Sequence, residues 1–152
     1  MNELVFRNVQ ALPEDPVEEW PLEAIQTALE RGSLKHWRRL TAAIMGNPWG
    51  PVARDVEEVL SYNRPYGVAA VMERVIERAR SAAEAGEREA VAKEVRRLID
   101  ESSLPRREFA SRIGTSASRL STYATGKVTP SASLLVRMRR LVERVENGEE
   151  IG

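Results

Sequence analysis

The chain contains no cysteine, which removes disulfides, thiolate zinc sites and thiol nucleophiles together and permits a reducing compartment. It has a single histidine, His36, so acid–base or metal chemistry would have to proceed without a second imidazole, and the simplest reading is an exposed helix residue. Long hydrophobic runs are missing as well: Val68 to Met72 falls far short of the roughly 20 apolar residues that cross a bilayer. No basic segment followed by an apolar stretch opens the sequence, so a soluble, unexported, cytoplasmic protein without a membrane partner is expected. Gly126-Lys127 lacks the earlier glycine of a phosphate loop, and there is no G-x-S-x-G elbow. The adjacent carboxylates Glu18-Glu19 and Glu57-Glu58 leave a helix in different directions and cannot converge on one atom. Neither an enzyme nor a cofactor is expected.

What is present is 152 residues with 42% hydrophobic content, enough for packed cores and read here as two small domains, 1–86 and 87–147, with a tail over 148–152. The net charge of zero is unevenly spread. Residues 1–86 hold ten Lys and Arg against thirteen Asp and Glu, whereas residues 103–145 hold nine against two. A basic block in a neutral chain suits a polyanion, because each phosphate neutralised by Lys or Arg releases condensed counterions. A solvated basic helix surface is the plainer reading of the charge alone.

Along the chain, the alternation over Leu4 to Val9 predicts an extended arm with one short strand, followed by the turn-favouring Leu12-Pro13 and Asp15-Pro16. Pro21 opens a helix with Leu22, Ile25, Ala28 and Leu29 on one face, closed by Gly32. Ser33 caps a second, with Leu34, Trp37, Leu40 and Ile44 inward, Lys35, Arg38 and Arg39 outward, and an end near Gly46. Val52, Val56, Val59 and Leu60 mark a third helix, and Val68, Met72, Val75, Ile76 and Ala79 a fourth, making a small bundle. Trp20, Trp37 and Trp49 read as core anchors; alternatively Trp49 and Tyr66, both in Pro/Gly connectors, form a partner or effector surface. The segment Ser81 to Glu89, interrupted by Gly86, is a domain boundary or the middle of one long helix, since an interior glycine costs only about 1 kcal/mol. Val91, Val95, Leu98 and Ile99 then define a further helix.

Residues 106–123 read RREFASRIGTSASRLSTY. Two short helices meeting at a steep angle need a small residue where they touch, a glycine at the bend and apolar residues at two later inward positions. Ala110, Gly114, Leu120 and Tyr123 fill those places in order, and Thr115 or Ser116 caps the second helix. With Leu120 and Tyr123 buried and about 100° per residue, Ser118, Ser121, Thr122 and Thr125 lie on the opposite face, with Ala117 near its start. These five are expected over base edges. Arg119 falls on the flank, where phosphate is favoured over a neighbouring guanine. Arg106 and Ser116 open the two helices and Lys127 follows the second, positions suited to phosphate oxygens. No metal site is expected.

Over residues 88–145 this arrangement resembles the phage-repressor-like helix-turn-helix family, also called Cro-type or xenobiotic-response-element-type regulators, through Leu104, Glu108-Phe109-Ala110, Gly114, Ser116, Leu120, Tyr123, Gly126-Lys127, Pro130-Ser131 and Leu134. With the four-helix bundle read from the spacing in the first domain, the resemblance implies an all-α protein in which that bundle is followed by a lambda-repressor-like helix-turn-helix domain. It also implies that the second of the paired helices enters the major groove of double-stranded DNA, and that a homodimer reads two related half-sites to repress or autoregulate transcription. The chain departs from the family pattern in two places. The opening of the first paired helix, commonly a polar amide, is shared between Pro105 and Arg106, and the reading face carries no glutamine, asparagine or central arginine. Short hydroxyls offer no bidentate pairing, so modest direct readout is expected, with water bridges and DNA shape contributing more.

The expected function is a dimeric, sequence-specific DNA-binding regulator whose N-terminal domain, which matches no family pattern, supplies dimerisation, effector sensing or partner binding. An antitoxin is the alternative: its N-terminal domain would neutralise a toxin while the helix-turn-helix controls its own operon. A third reading is an architectural DNA binder without regulatory specificity.

Overall fold

The computed structural model describes residues 3–7 and 9–148, and over these the protein is all-helical: seven α-helices and one 3-10 turn, Val17–Glu19, with no strand. The expected tail lies outside the described residues beyond Gly148. The chain divides into two compact units, Met1–Ala83 and Glu84–Gly152.

The first unit is built from α1 (Leu22–Arg31), α2 (Leu34–Gly46), α3 (Pro51–Tyr62) and the opening turns of α4 (Ala69–Ser102). Its core joins Ile25 and Leu29 of α1, Leu40 and Ile44 of α2, Val56 and Val59 of α3 and Met72 of α4, all essentially inaccessible to solvent. Pro51 stands at the first position of α3, where its missing N–H is not needed.

The turn between α1 and α2 is tightly specified. The carbonyl of Ala28 accepts both the Gly32 N–H and the Trp37 indole N–H, each at 2.9 Å. A Cβ on Gly32 would lie 2.2 Å from that same oxygen, so only glycine closes α1 here. Ser33 then opens α2 through a reciprocal cap with His36, whose Nδ1 accepts the Ser33 N–H at 3.0 Å.

Five expectations are corrected in this unit. The strand expected over Leu4 to Val9 is absent among the described residues of that stretch: Leu4 and Phe6 do alternate inward with Glu3, Val5 and Arg7 outward, but in a helical unit they pack on the core without a ladder partner. Phe6 meets Trp20 edge-on, with ring centroids 5.0 Å apart. Leu34, expected inward, is 56% exposed, because as the first residue of α2 it precedes the turn that reaches the core. Trp49 is 48% exposed rather than a core anchor; the Arg80 guanidinium lies 4.8 Å from its ring centroid while donating to the Pro48 carbonyl and to Glu57. Arg39, placed on the outer side of α2, covers Trp20 and donates to the carbonyls of Pro13 and Asp15, which ties down the N-terminal arm. His36 is half-buried and structural, not simply an exposed helix residue.

α4 runs unbroken through Gly86, so Ser81 to Glu89 is the middle of one long helix, and the division between the two compact units also falls within it. A Cβ on Gly86 would meet nothing within 4 Å. The helix ends at Ser102, whose buried hydroxyl donates to the Ile99 carbonyl at 2.6 Å and accepts the Leu104 N–H at 3.1 Å. Ser103 follows in the left-handed region, at φ 57°.

The second unit packs Val95, Leu98 and Ile99 of α4 with α5 (Arg106–Ile113), α6 (Ala117–Thr125) and α7 (Ala132–Glu146). Phe109, Leu120 and Met138 are its most deeply buried large side chains from those three helices. Ser131 caps α7 by accepting the Leu134 N–H at 3.1 Å.

Candidate nucleic-acid interface

α5 ends on Gly114 at φ 83°. The Gly114 N–H reaches the Ser111 carbonyl and the Thr115 N–H reaches the Ala110 carbonyl, the paired bonds of a Schellman stop that needs a left-handed residue. One residue later Ser116 caps α6, its hydroxyl accepting the Arg119 N–H at 3.1 Å. Ala110, Leu120 and Tyr123 are buried in one cluster with Phe109 and Ile113, so the opposite side of α6 is presented outward.

On that side Ala117, Ser118, Ser121 and Thr125 are exposed and Thr122 is half-buried. The hydroxyls differ in what they have left to offer. Thr122 Oγ1 donates to the Arg119 carbonyl at 2.6 Å and Thr125 Oγ1 to the Thr122 carbonyl at 3.3 Å, while the Ser116 and Ser118 oxygens are 3.3 Å apart. Among the described residues Ser121 makes no side-chain hydrogen bond.

Gly126, at φ 80°, turns the chain at the end of α6. The loop folds back so that the Val128 N–H donates to the Thr122 carbonyl at 3.2 Å, which holds Lys127 beside the last turn of the helix. Arg119 and Lys127 are exposed and, among the described residues, pair with no carboxylate. Arg106 stands in the first turn of α5, equally unpaired but with no hydrogen bond or ion pair to the α6 side chains. Thus Ala117, Ser118, Ser121, Thr122 and Thr125 share one helix with Ser116 and Arg119 and lie close to Lys127, whereas Arg106 belongs to a separate element.

Several features of this surface were not anticipated. Arg107 adds a second unpaired, exposed cation to the start of α5. Arg96 of α4 donates to the Ala124 carbonyl at 2.6 Å while pairing with Glu89, so it caps the C-terminal end of α6. Arg137 of α7 donates to the Ile113 carbonyl at 3.4 Å, beside the bend. Other arginines are neutralised in place: Arg112 by Glu108, and Arg139 by a two-pronged contact with Glu94 at 2.8 and 3.2 Å. Hydrogen bonding to Arg139 holds the Glu94 carboxyl below the usual carboxylate range. The sequence did carry a further signal for this face, since no Asp or Glu occurs between Phe109 and Val142.

Among the described residues no three His, Asp or Glu side chains are grouped so as to hold a metal ion, and no helix is long and apolar enough to cross a membrane. Comparison of the chain with protein-family models, curated sequences and solved structures returns no match.

Proposed function

We propose that the second unit is a helix-turn-helix domain that binds double-stranded DNA with α6 in the major groove, as part of a homodimeric, site-specific transcriptional regulator acting as a repressor or autoregulator. The observation that carries this reading is the exposed α6 face, small and hydroxyl-bearing, flanked by the unpaired cations Arg119 and Lys127 and free of carboxylates. A major groove about 12 Å wide accepts a helix, and a surface without negative charge meets no repulsion from the phosphates on either side. Ala117, Ser118, Ser121, Thr122 and Thr125 would face bases; Arg106, Ser116, Arg119 and Lys127 would fix the register on phosphate. The role is binding rather than catalysis.

The first unit would supply dimerisation or contact with an effector or protein partner. Exposed Tyr62, Tyr66 and Trp49 favour the partner option, and with it the antitoxin alternative, because aromatic side chains dominate protein interfaces.

Selection of duplexes from a random pool by the full-length protein tests the proposal. A regulator should enrich a two-fold symmetric site and bind it at least about 10³-fold more tightly than random duplex at the same salt concentration. Equal affinity for both would leave only an architectural binder, and no binding at low salt would overturn the reading.

A further inference from the structure

The side chains of Thr122 and Thr125 are not equivalent to the serines beside them. In each, the hydroxyl proton is committed to a carbonyl one turn back, at 2.6 Å and 3.3 Å. Neither hydroxyl can then donate to thymine O4 or to guanine O6 and N7, which present only acceptors in the major groove. Staggering about the Cα–Cβ bond leaves the Cγ2 methyl as the free branch of both residues. The two stand three positions apart and are therefore neighbours on the helix surface, and Ala117, two turns before Thr125, extends the same outer face with a further methyl group. What α6 offers outward is thus the two threonine methyls and Ala117, beside the unbonded hydroxyl of Ser121 and the Ser116–Ser118 pair, whose single mutual contact leaves one proton free.

Resting on the DNA-binding reading above, we propose that Thr122 and Thr125 recognise thymine through its C5 methyl group, making T-bearing positions of the half-site the specific ones. The thymine methyl is the one apolar feature that any of the four standard bases presents in the major groove, and alanine and the threonine methyl are apolar groups suited to contact it. Cytosine has hydrogen at the same carbon and offers a donor beside it.

The test uses the full-length protein and the duplex it selects from a random pool, resynthesised with deoxyuridine replacing thymine one position at a time. Uridine pairs identically and lacks only the methyl group. Binding should weaken about fourfold at each contacted position, the equivalent of one buried methyl group. Thr122→Ser and Thr125→Ser should each lose the thymine-to-uridine difference at one position, and Thr122→Val, which keeps the methyl and discards the hydroxyl, should retain it. Indifference to uridine at every position, or an undiminished uridine effect in the doubly substituted Ser variant, would overturn the inference while leaving DNA binding intact. Failure to retain any duplex at low salt would instead remove the DNA-binding reading, and this inference with it.

Discussion

The Ser33 N–H donates to His36 Nδ1 at 3.0 Å, so the imidazole must present a bare nitrogen there and carry its proton on Nε2. Burial, and then the nearby Lys35 and Arg39, lower the pKa of His36. In the unfolded chain the ring takes up a proton near its ordinary value of about 6.5; in the folded chain it resists until lower pH. Above that ordinary value both states are neutral and the cap contributes in full. As pH falls below it, the unfolded state binds the proton first, and the contribution is lost once pH has passed the folded pKa. The urea midpoint should therefore drop between pH 7.5 and 5.5. His36→Gln, which accepts the same bond without titrating, should flatten that drop, and an unchanged slope in the variant would show that the cap is not its source. His36→Ala should cost about 0.5–1 kcal/mol at neutral pH.

The same substitution should have opposite signs at two glycines. Gly86 lies in the middle of α4 with open space around its Cβ position, so Gly86→Ala should stabilise by about 0.5–1 kcal/mol. Gly114 sits at φ 83°, and Gly114→Ala should destabilise by about 1–2 kcal/mol. Chemical unfolding of both variants beside the parent protein decides the matter; two shifts of one sign would contradict the backbone assignments.

Ser103 occupies the left-handed region without glycine's freedom. Ser103→Gly should raise stability by about 0.5–1 kcal/mol, the strain relieved exceeding the extra freedom of the unfolded chain. Its neighbour behaves oppositely. Ser102→Ala removes the acceptor of the Leu104 N–H and should cost about 1–3 kcal/mol. Calorimetric melting temperatures moving in the same direction for the two would refute this account of the α4 terminus.

Two arginines of the second unit provide a contrast in DNA binding. Arg119 has no carboxylate partner among the described residues, whereas Arg139 is held by Glu94. On the proposed reading, Arg119→Ala should reduce the slope of log K against log salt by about 0.9, one phosphate equivalent. Arg139→Ala should change it little. Fluorescence anisotropy across a salt series measures both, and an unaltered slope for Arg119→Ala would take that residue off the phosphate backbone.

Where apolar spacing and stop residues agreed, helices were readable directly: Pro21 to Gly32 around α1, and Phe109, Ala110 and Ile113 before Gly114 in α5. Both features act within a few residues and need no knowledge of the rest of the fold. The face of α6 is legible for the same reason, from the spacing of Leu120 and Tyr123. Misreadings arose where distant partners decide the outcome. The alternation is genuine from Leu4 to Arg7, yet a strand also needs a neighbouring strand. Trp49 follows helical spacing from no core residue and is drawn to Arg80, 31 positions later. Arg96 reaches Ala124 across 28 positions, and no local pattern announces such a contact. The back-bonding of Thr122 and Thr125 is local, but residue type alone does not reveal which branch of a threonine faces outward.

The shared carbonyl of Ala28 has an evolutionary corollary. Since the backbone of Gly32 and the indole of Trp37 use one oxygen, a side chain at 32 would crowd both bonds, whereas replacing Trp37 forfeits only its own. Copies that keep the tryptophan should therefore keep the glycine five residues before it, while the reverse is not required. That linked pair, with the serine between them, offers a signature for tracing diverged copies of this unit after overall sequence similarity has faded.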